Sequence, residues 1–137
     1  MQSIIKYVFI ILITLTTQVW ADEAYTPNSG DEEMDASLIE INKKIKNKTG
    51  AYSRTLANEF QVPEEQVVIL FTHYEFTPAD VLMTLSIADT SGQPVNSVAR
   101  TYFDNKESGW KYTLYQLKIS KKSATFKQIK KDAQAEY

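Results

Sequence analysis

From Leu38 to the end of the chain, apolar side chains recur at helical rather than strand spacing. Leu38, Ile41 and Ile45 fall at i, i+3 and i+7, with Asp35 or Ser37 as the predicted cap. Asn47-Lys48-Thr49-Gly50 interrupts this pattern, and Tyr52, Leu56 and Phe60 resume it. Val67, Leu70, Phe71 and Tyr74 mark a third helix. It opens at Pro63, with Glu64 and Glu65 suited to the positive end of its dipole.

The sharpest start signal is Phe76-Thr77-Pro78-Ala79-Asp80-Val81. Thr77 is the predicted cap and Pro78 the first helical residue. Asp80 is placed to reach back, and Phe76 to staple onto Val81. Residues 81–88 are apolar nearly all round, which predicts a helix at the centre of a bundle, stopped at Gly92 in a left-handed turn. Pro94 opens the next helix, with Val95, Val98, Ala99 and Tyr102 inward and Phe103 beside them. After the polar turn from Asp104 to Gly109, Trp110, Leu114 and Leu117 predict a short helix. Ile119-Ser120 then caps a last helix, with Phe126, Ile129 and Ala133 inward and its lysines outward.

Pro63, Val67 and Phe71 recur in spacing as Pro94, Val98 and Tyr102, as if two helical hairpins were related. The one β-prone run, residues 67–71, follows a proline and an acidic first turn, so it too is read as helix. The predicted fold is all-α, a bundle of about six short helices over residues 35–137.

The segment before the bundle has a different character. Lys6, the apolar run of residues 7–17, and Val19-Trp20-Ala21 before Asp22-Glu23 follow the charged, greasy, small-residue order of a secretory signal peptide. Its apolar run is shorter than the roughly 20 residues of a membrane span. We therefore expect cleavage after Ala21 and a location in the periplasm or outside the cell. Export removes nucleic acid from the expected partners, although paired hairpins with a basic tail resemble a helix-turn-helix reader in outline. The chain has no cysteine, which excludes a disulfide framework, thiol chemistry and a lipid-modified cysteine. Residues 22–34 are acidic, carry Pro27, Asn28, Ser29 and Gly30, and are poor in apolar side chains, which predicts a disordered linker.

The formal net charge of −2 hides a segregation. Asp22, Glu23, Asp31, Glu32, Glu33 and Asp35 precede the first base of the mature chain, whereas Lys118, Lys121, Lys122, Lys127, Lys130 and Lys131 crowd its end. These are either solvated faces, an attraction to an anionic surface, or an acidic tail folded over a basic helix.

The central segment resembles a family of small exported bacterial proteins of uncharacterised function, which end in Gly-Trp-Gly-x-Ile-Ala-x-x-Leu-Gly-Ile/Val. Gly109, Trp110, Leu117 and Ile119 match that ending, and residues 85–92 fit the pattern before it. Lys111 and Lys118 stand where the family has glycines, and Thr113-Leu114 replaces Ile-Ala. The likeness spans about residues 56–119 by the placing of these motifs. It implies an all-helical fold and no known chemistry.

Nothing in the chain specifies catalysis. His73 is the only histidine, and with Glu75 and Asp80 nearby it still falls short of the three or four converging ligands a metal needs. There is no Gly-x-Ser-x-Gly and no glycine-rich phosphate loop, and Glu64, Glu65 and Glu75 look like helix-end acids rather than a glycosidase pair. We expect no enzymatic activity, cofactor or metal. Asn47-Lys48-Thr49 matches a glycosylation acceptor but is incidental in a bacterial protein.

The expected role is protein binding in the bacterial envelope. Trp110, Lys111, Tyr112 and Tyr115 form the candidate surface, with Trp110 either an exposed anchor or a core plug. The alternative is a peripheral contact with anionic lipid through Lys122, Lys127, Lys130 and Lys131, with Phe126, Ile129 and Ala133 as the apolar side.

Overall fold

A computed structural model describes residues 24–137. The expected export leader, residues 1–21, lies outside the described residues. Seven α-helices account for most of the chain among those residues: α1 (Glu32–Ile45), α2 (Thr49–Phe60), α3 (Glu64–Thr72), α4 (Pro78–Ser91), α5 (Val95–Asp104), α6 (Gly109–Gln116) and α7 (Ala124–Gln134). A 3-10 turn, Lys106–Ser108, joins α5 to α6, and no strand occurs among the described residues. The all-α expectation is met.

Helix α4 is the axis of the bundle and packs against α1, α2, α3, α5 and α7. Every residue from Ala79 to Ala88 is buried, as the all-round apolar run requires. Its ends follow the local signals. The Thr77 hydroxyl accepts the Asp80 amide, Pro78 occupies the first turn, and Gly92 closes the helix at φ 72°. The related starts of α3 and α5 are also seen: Pro63 and Pro94 each precede the helix in an extended conformation, and Val67 and Val98 are both fully buried.

Two boundaries differ from expectation. Helix α1 is capped by Asp31, whose carboxylate accepts the Met34 amide at 2.9 Å, rather than by Asp35 or Ser37. Helix α7 is capped by Ser123, not by Ile119-Ser120. In both cases a hydroxyl or carboxylate three residues before a free amide captured it, and the apolar spacing alone does not locate that residue.

The larger correction concerns residues 22–34. Among the described part, residues 24–31 form an ordered strap without helix or strand, and residues 32–34 already belong to α1. The strap is held by hydrogen bonds as well as by the burial of Pro27 and part of Tyr25. Pro27 and Asn28 carbonyls accept the Trp110 and Lys111 amides at 2.9 and 2.8 Å. Those amides open α6 and have no partner within the helix, so the strap supplies the acceptors that a capping side chain would otherwise supply. The Ser29 amide and hydroxyl both bond to the Asp35 carboxylate, and Lys121 Nζ donates to the Gly30 carbonyl at 2.8 Å.

Gly109 makes this approach possible. It sits at φ 72°, and a Cβ there would lie 2.6 Å from the Asn28 Cβ and 2.8 Å from the Pro27 carbonyl oxygen.

Candidate functional site

The four residues expected to form a surface on α6 are divided between two environments. Trp110 is wholly buried. Its indole stacks on Tyr102 with centroids 3.7 Å apart and planes 3° from parallel, and its Nε1 donates to Asp80 at 2.9 Å. The interface reading of Trp110 is therefore overturned in favour of the core plug. On an eight-residue helix, Trp110, Thr113 and Leu114 share the inward side, which turns Lys111, Tyr112 and Tyr115 outward.

The outward side keeps its candidates. Tyr115 is 76% exposed and Tyr112 37%. With Gln116, Lys118, Ile119 and Ser120, Tyr115 borders a shallow depression of about 490 Å³. Lys118 adopts φ 58°, the left-handed region that favours glycine. Lys111 is less free than expected, because the strap accepts its amide and its aliphatic stem lies 3.6 Å from the position a Cβ on Gly30 would occupy.

The lysine helix is also divided. Lys122, Lys127 and Lys131 are exposed. Lys130 is instead paired with Asp31 at 3.1 Å and Glu33 at 3.0 Å. Those hydrogen bonds raise the Lys130 pKa, and the Asp31 carboxyl is held below its usual range by the Met34 amide first and Lys130 second. Acidic residues fold over the basic helix at Lys130, while Lys122, Lys127 and Lys131 remain solvated. The apolar side proposed for lipid contact is unavailable to lipid, since Phe126, Ile129 and Ala133 are buried and α7 packs on α4 and α1. His73 lies exposed at the end of α3 with its ring edge-on to Tyr74, and no cluster of three potential metal ligands occurs among the described residues.

The residue that sequence reasoning misplaced is Asp80. Its expected role was to reach back over the start of α4, as the third residue after a Thr cap. Instead its side chain is wholly buried and turned towards the strap and α6. Oδ1 accepts the Tyr25 hydroxyl at 2.6 Å and the Trp110 indole at 2.9 Å. The Tyr102 hydroxyl borders the same carboxyl without closing a well-formed hydrogen bond, and Oδ2 is left buried with no partner.

Burial pushes the Asp80 carboxyl up, against the pull of hydrogen bonds from Tyr25 and Trp110. Burial, and then the neighbouring Asp80, push the Tyr25 hydroxyl far up. The sequence carried one signal for this cluster, an acid inside an otherwise apolar stretch. Its partners lie 55 residues before it and 30 after it, and no local spacing connects them.

Above this cluster opens a cleft of about 1070 Å³, between the strap on one side and the end of α5 with the following 3-10 turn on the other. No family model, curated protein or solved structure matches this chain. The functional reading rests on the geometry of the two surfaces just described.

Proposed function

We propose that this is a non-catalytic protein-binding module of the bacterial envelope, and that it docks through the outward side of α6 and the turn after it onto an acidic surface of a partner protein. The observation that carries the reading is Tyr115, a large aromatic 76% exposed on a helix whose opposite side is pinned by Trp110, Thr113 and Leu114. A rigidly presented tyrosine offers contact area at small entropic cost on binding.

The charge around it supports an acidic partner. Between Glu107 and Asp132 the chain carries lysines and no acid. Lys118 supports it further: a lysine kept in a backbone conformation that suits glycine costs stability, and such costs concentrate where a side chain is used. The export leader supplies the compartment, and its removal after Ala21 would leave the strap near the new chain end. No helix among the described residues is long and apolar enough to cross a membrane.

A photo-crosslinking amino acid at position 115 tests the reading in living cells. One protein should be captured from position 115 and not from Val68, which is exposed on α3. Its capture should fall with added salt and with Lys118→Glu, and its surface should be acidic. Capture of the same proteins from both positions would remove the α6 surface from consideration. N-terminal sequencing of the recovered protein should begin at Asp22, and an intact Met1 would remove the compartment.

A further inference from the structure

We propose that the cleft between the strap and the α5–α6 turn binds a protonated primary amine, whose ammonium donates to the unpartnered Oδ2 of Asp80 beside the rings of Tyr25 and Tyr102. Three features of the cleft converge on that ligand, and none of them involves the tyrosine surface of α6.

The first is the vacancy at Oδ2. A carboxyl oxygen buried without a hydrogen-bond donor is costly. Oδ1 takes the Tyr25 hydroxyl and the Trp110 indole, and the Tyr102 hydroxyl beside the carboxyl closes no well-formed hydrogen bond to Oδ2. The missing partner is an N–H or O–H donor. The second is charge. Asp80, Asp104 and Glu107 line the cleft against a single base, Lys106, so the field inside it favours cations. Burial without a countercharge raises the Asp80 pKa, and an arriving ammonium supplies the countercharge. The third is the wall. The Tyr25 and Tyr102 hydroxyls border the carboxyl, and Phe103, half exposed at the rim, offers an aromatic face to a cation.

Donor, cation and aromatic surroundings together select an ammonium that keeps its N–H groups over a quaternary amine. They also exclude anions such as phosphates. A cleft of about 1070 Å³ leaves room for the chain that carries the amine. Asp80 has no exposed surface, so the ammonium reaches it with an outward shift of the Tyr25 ring. Tyr25 belongs to the strap, outside the helices, and the shift exchanges its hydroxyl bond to Oδ1 for the ammonium.

The Trp110 indole N–H touches the same carboxyl and reports on it directly. In ¹⁵N-labelled protein beginning at Asp22, where Trp110 is the one tryptophan, 1,4-diaminobutane and butylamine should shift its indole resonance saturably. Tetramethylammonium, which has no N–H, should bind about tenfold more weakly or worse, as the loss of a charged hydrogen bond implies. Asp80→Asn should abolish the saturable shift. The pair Asp104→Asn and Glu107→Gln should weaken binding severalfold and reduce its salt dependence.

A shift that grows linearly with amine and is matched by sodium chloride at equal ionic strength overturns the proposal. So does equal binding of tetramethylammonium, or unchanged binding in Asp80→Asn. Should Asp80→Asn fail to fold, the Asp104/Glu107 pair decides: unchanged affinity there overturns the proposal as well. The envelope partner expected at Tyr115 plays no part in these outcomes.

Discussion

Helix α4 and the strap of residues 24–31 lie on the two sides of one carboxyl group, and they are held in place by different forces. Helix α4 is enclosed by five other helices, and its side chains from Val81 to Ala88 have lost their water. Its position follows from apolar burial, which is non-directional and tolerates small shifts. The strap buries Pro27 and part of Tyr25, but its path is set by polar contacts. It is positioned by Tyr25 on Asp80, by two carbonyls on the amides of α6, by Ser29 on Asp35, and by lysines reaching from beyond α6. Each of those contacts has a direction and a single acceptor. A segment that composition marks as disordered is therefore ordered by distant groups that need its carbonyls and hydroxyl.

The comparison predicts that the two regions fail differently. Trp110→Ala should cost the most, about 3–5 kcal/mol, because the indole both fills the core against Tyr102 and donates to Asp80. A urea unfolding curve measures it, and a loss under 1 kcal/mol would mean that the stack contributes little. Gly109→Ala should follow, at about 1–3 kcal/mol, since the position combines positive φ with a backbone approach that a methyl cannot share. Its signature is local: hydrogen exchange of the Trp110 and Lys111 amides should speed up while the centre of α4 stays protected. Uniform acceleration would show that strap and bundle are one cooperative unit.

Tyr25→Phe removes one donor to the buried carboxyl without changing the ring, and should cost about 1–3 kcal/mol.

Two carboxyls with opposite shifts sharpen the comparison. Asp80 has a raised pKa when folded, so the folded state holds its proton after the unfolded chain has lost it near pH 3.9. The Asp80 contribution therefore falls as pH rises from about 4 through the folded pKa, and Asp80→Asn should remove that slope. Asp31 has a lowered pKa, so its contribution is present above about pH 4 and is lost as pH falls through the folded value. Denaturation of wild type, Asp80→Asn and Asp31→Asn between pH 3 and 7 separates the two signs. Smallest of all, Tyr115→Ala should leave the unfolding midpoint unchanged, because its ring lies mostly in water. A clear loss would mean that the tyrosine serves the fold and not a partner.

The helices were legible because their signals are local. The Thr77-Pro78 start, the Gly92 stop and the face of Phe126, Ile129 and Ala133 each lie within a few turns of chain, where periodicity and capping act. The exposure of Tyr112 and Tyr115 was legible for the same reason, since a short helix has room for one inward face. Trp110 was open to two readings from spacing alone. Its burial depended on Tyr102 and Asp80 arriving from other helices.

By itself, then, the chain determined an all-helical bundle, its central helix and the outward tyrosines, because propensity and apolar spacing operate between near neighbours. Only the tertiary structure decided that residues 24–31 are ordered, that Lys130 lies across Asp31 and Glu33, and that Asp80 faces Tyr25 and Trp110. Hydrogen bonds and ion pairs between residues tens of positions apart leave no periodic trace, and they exist only once folding has brought their partners within 3 Å or so.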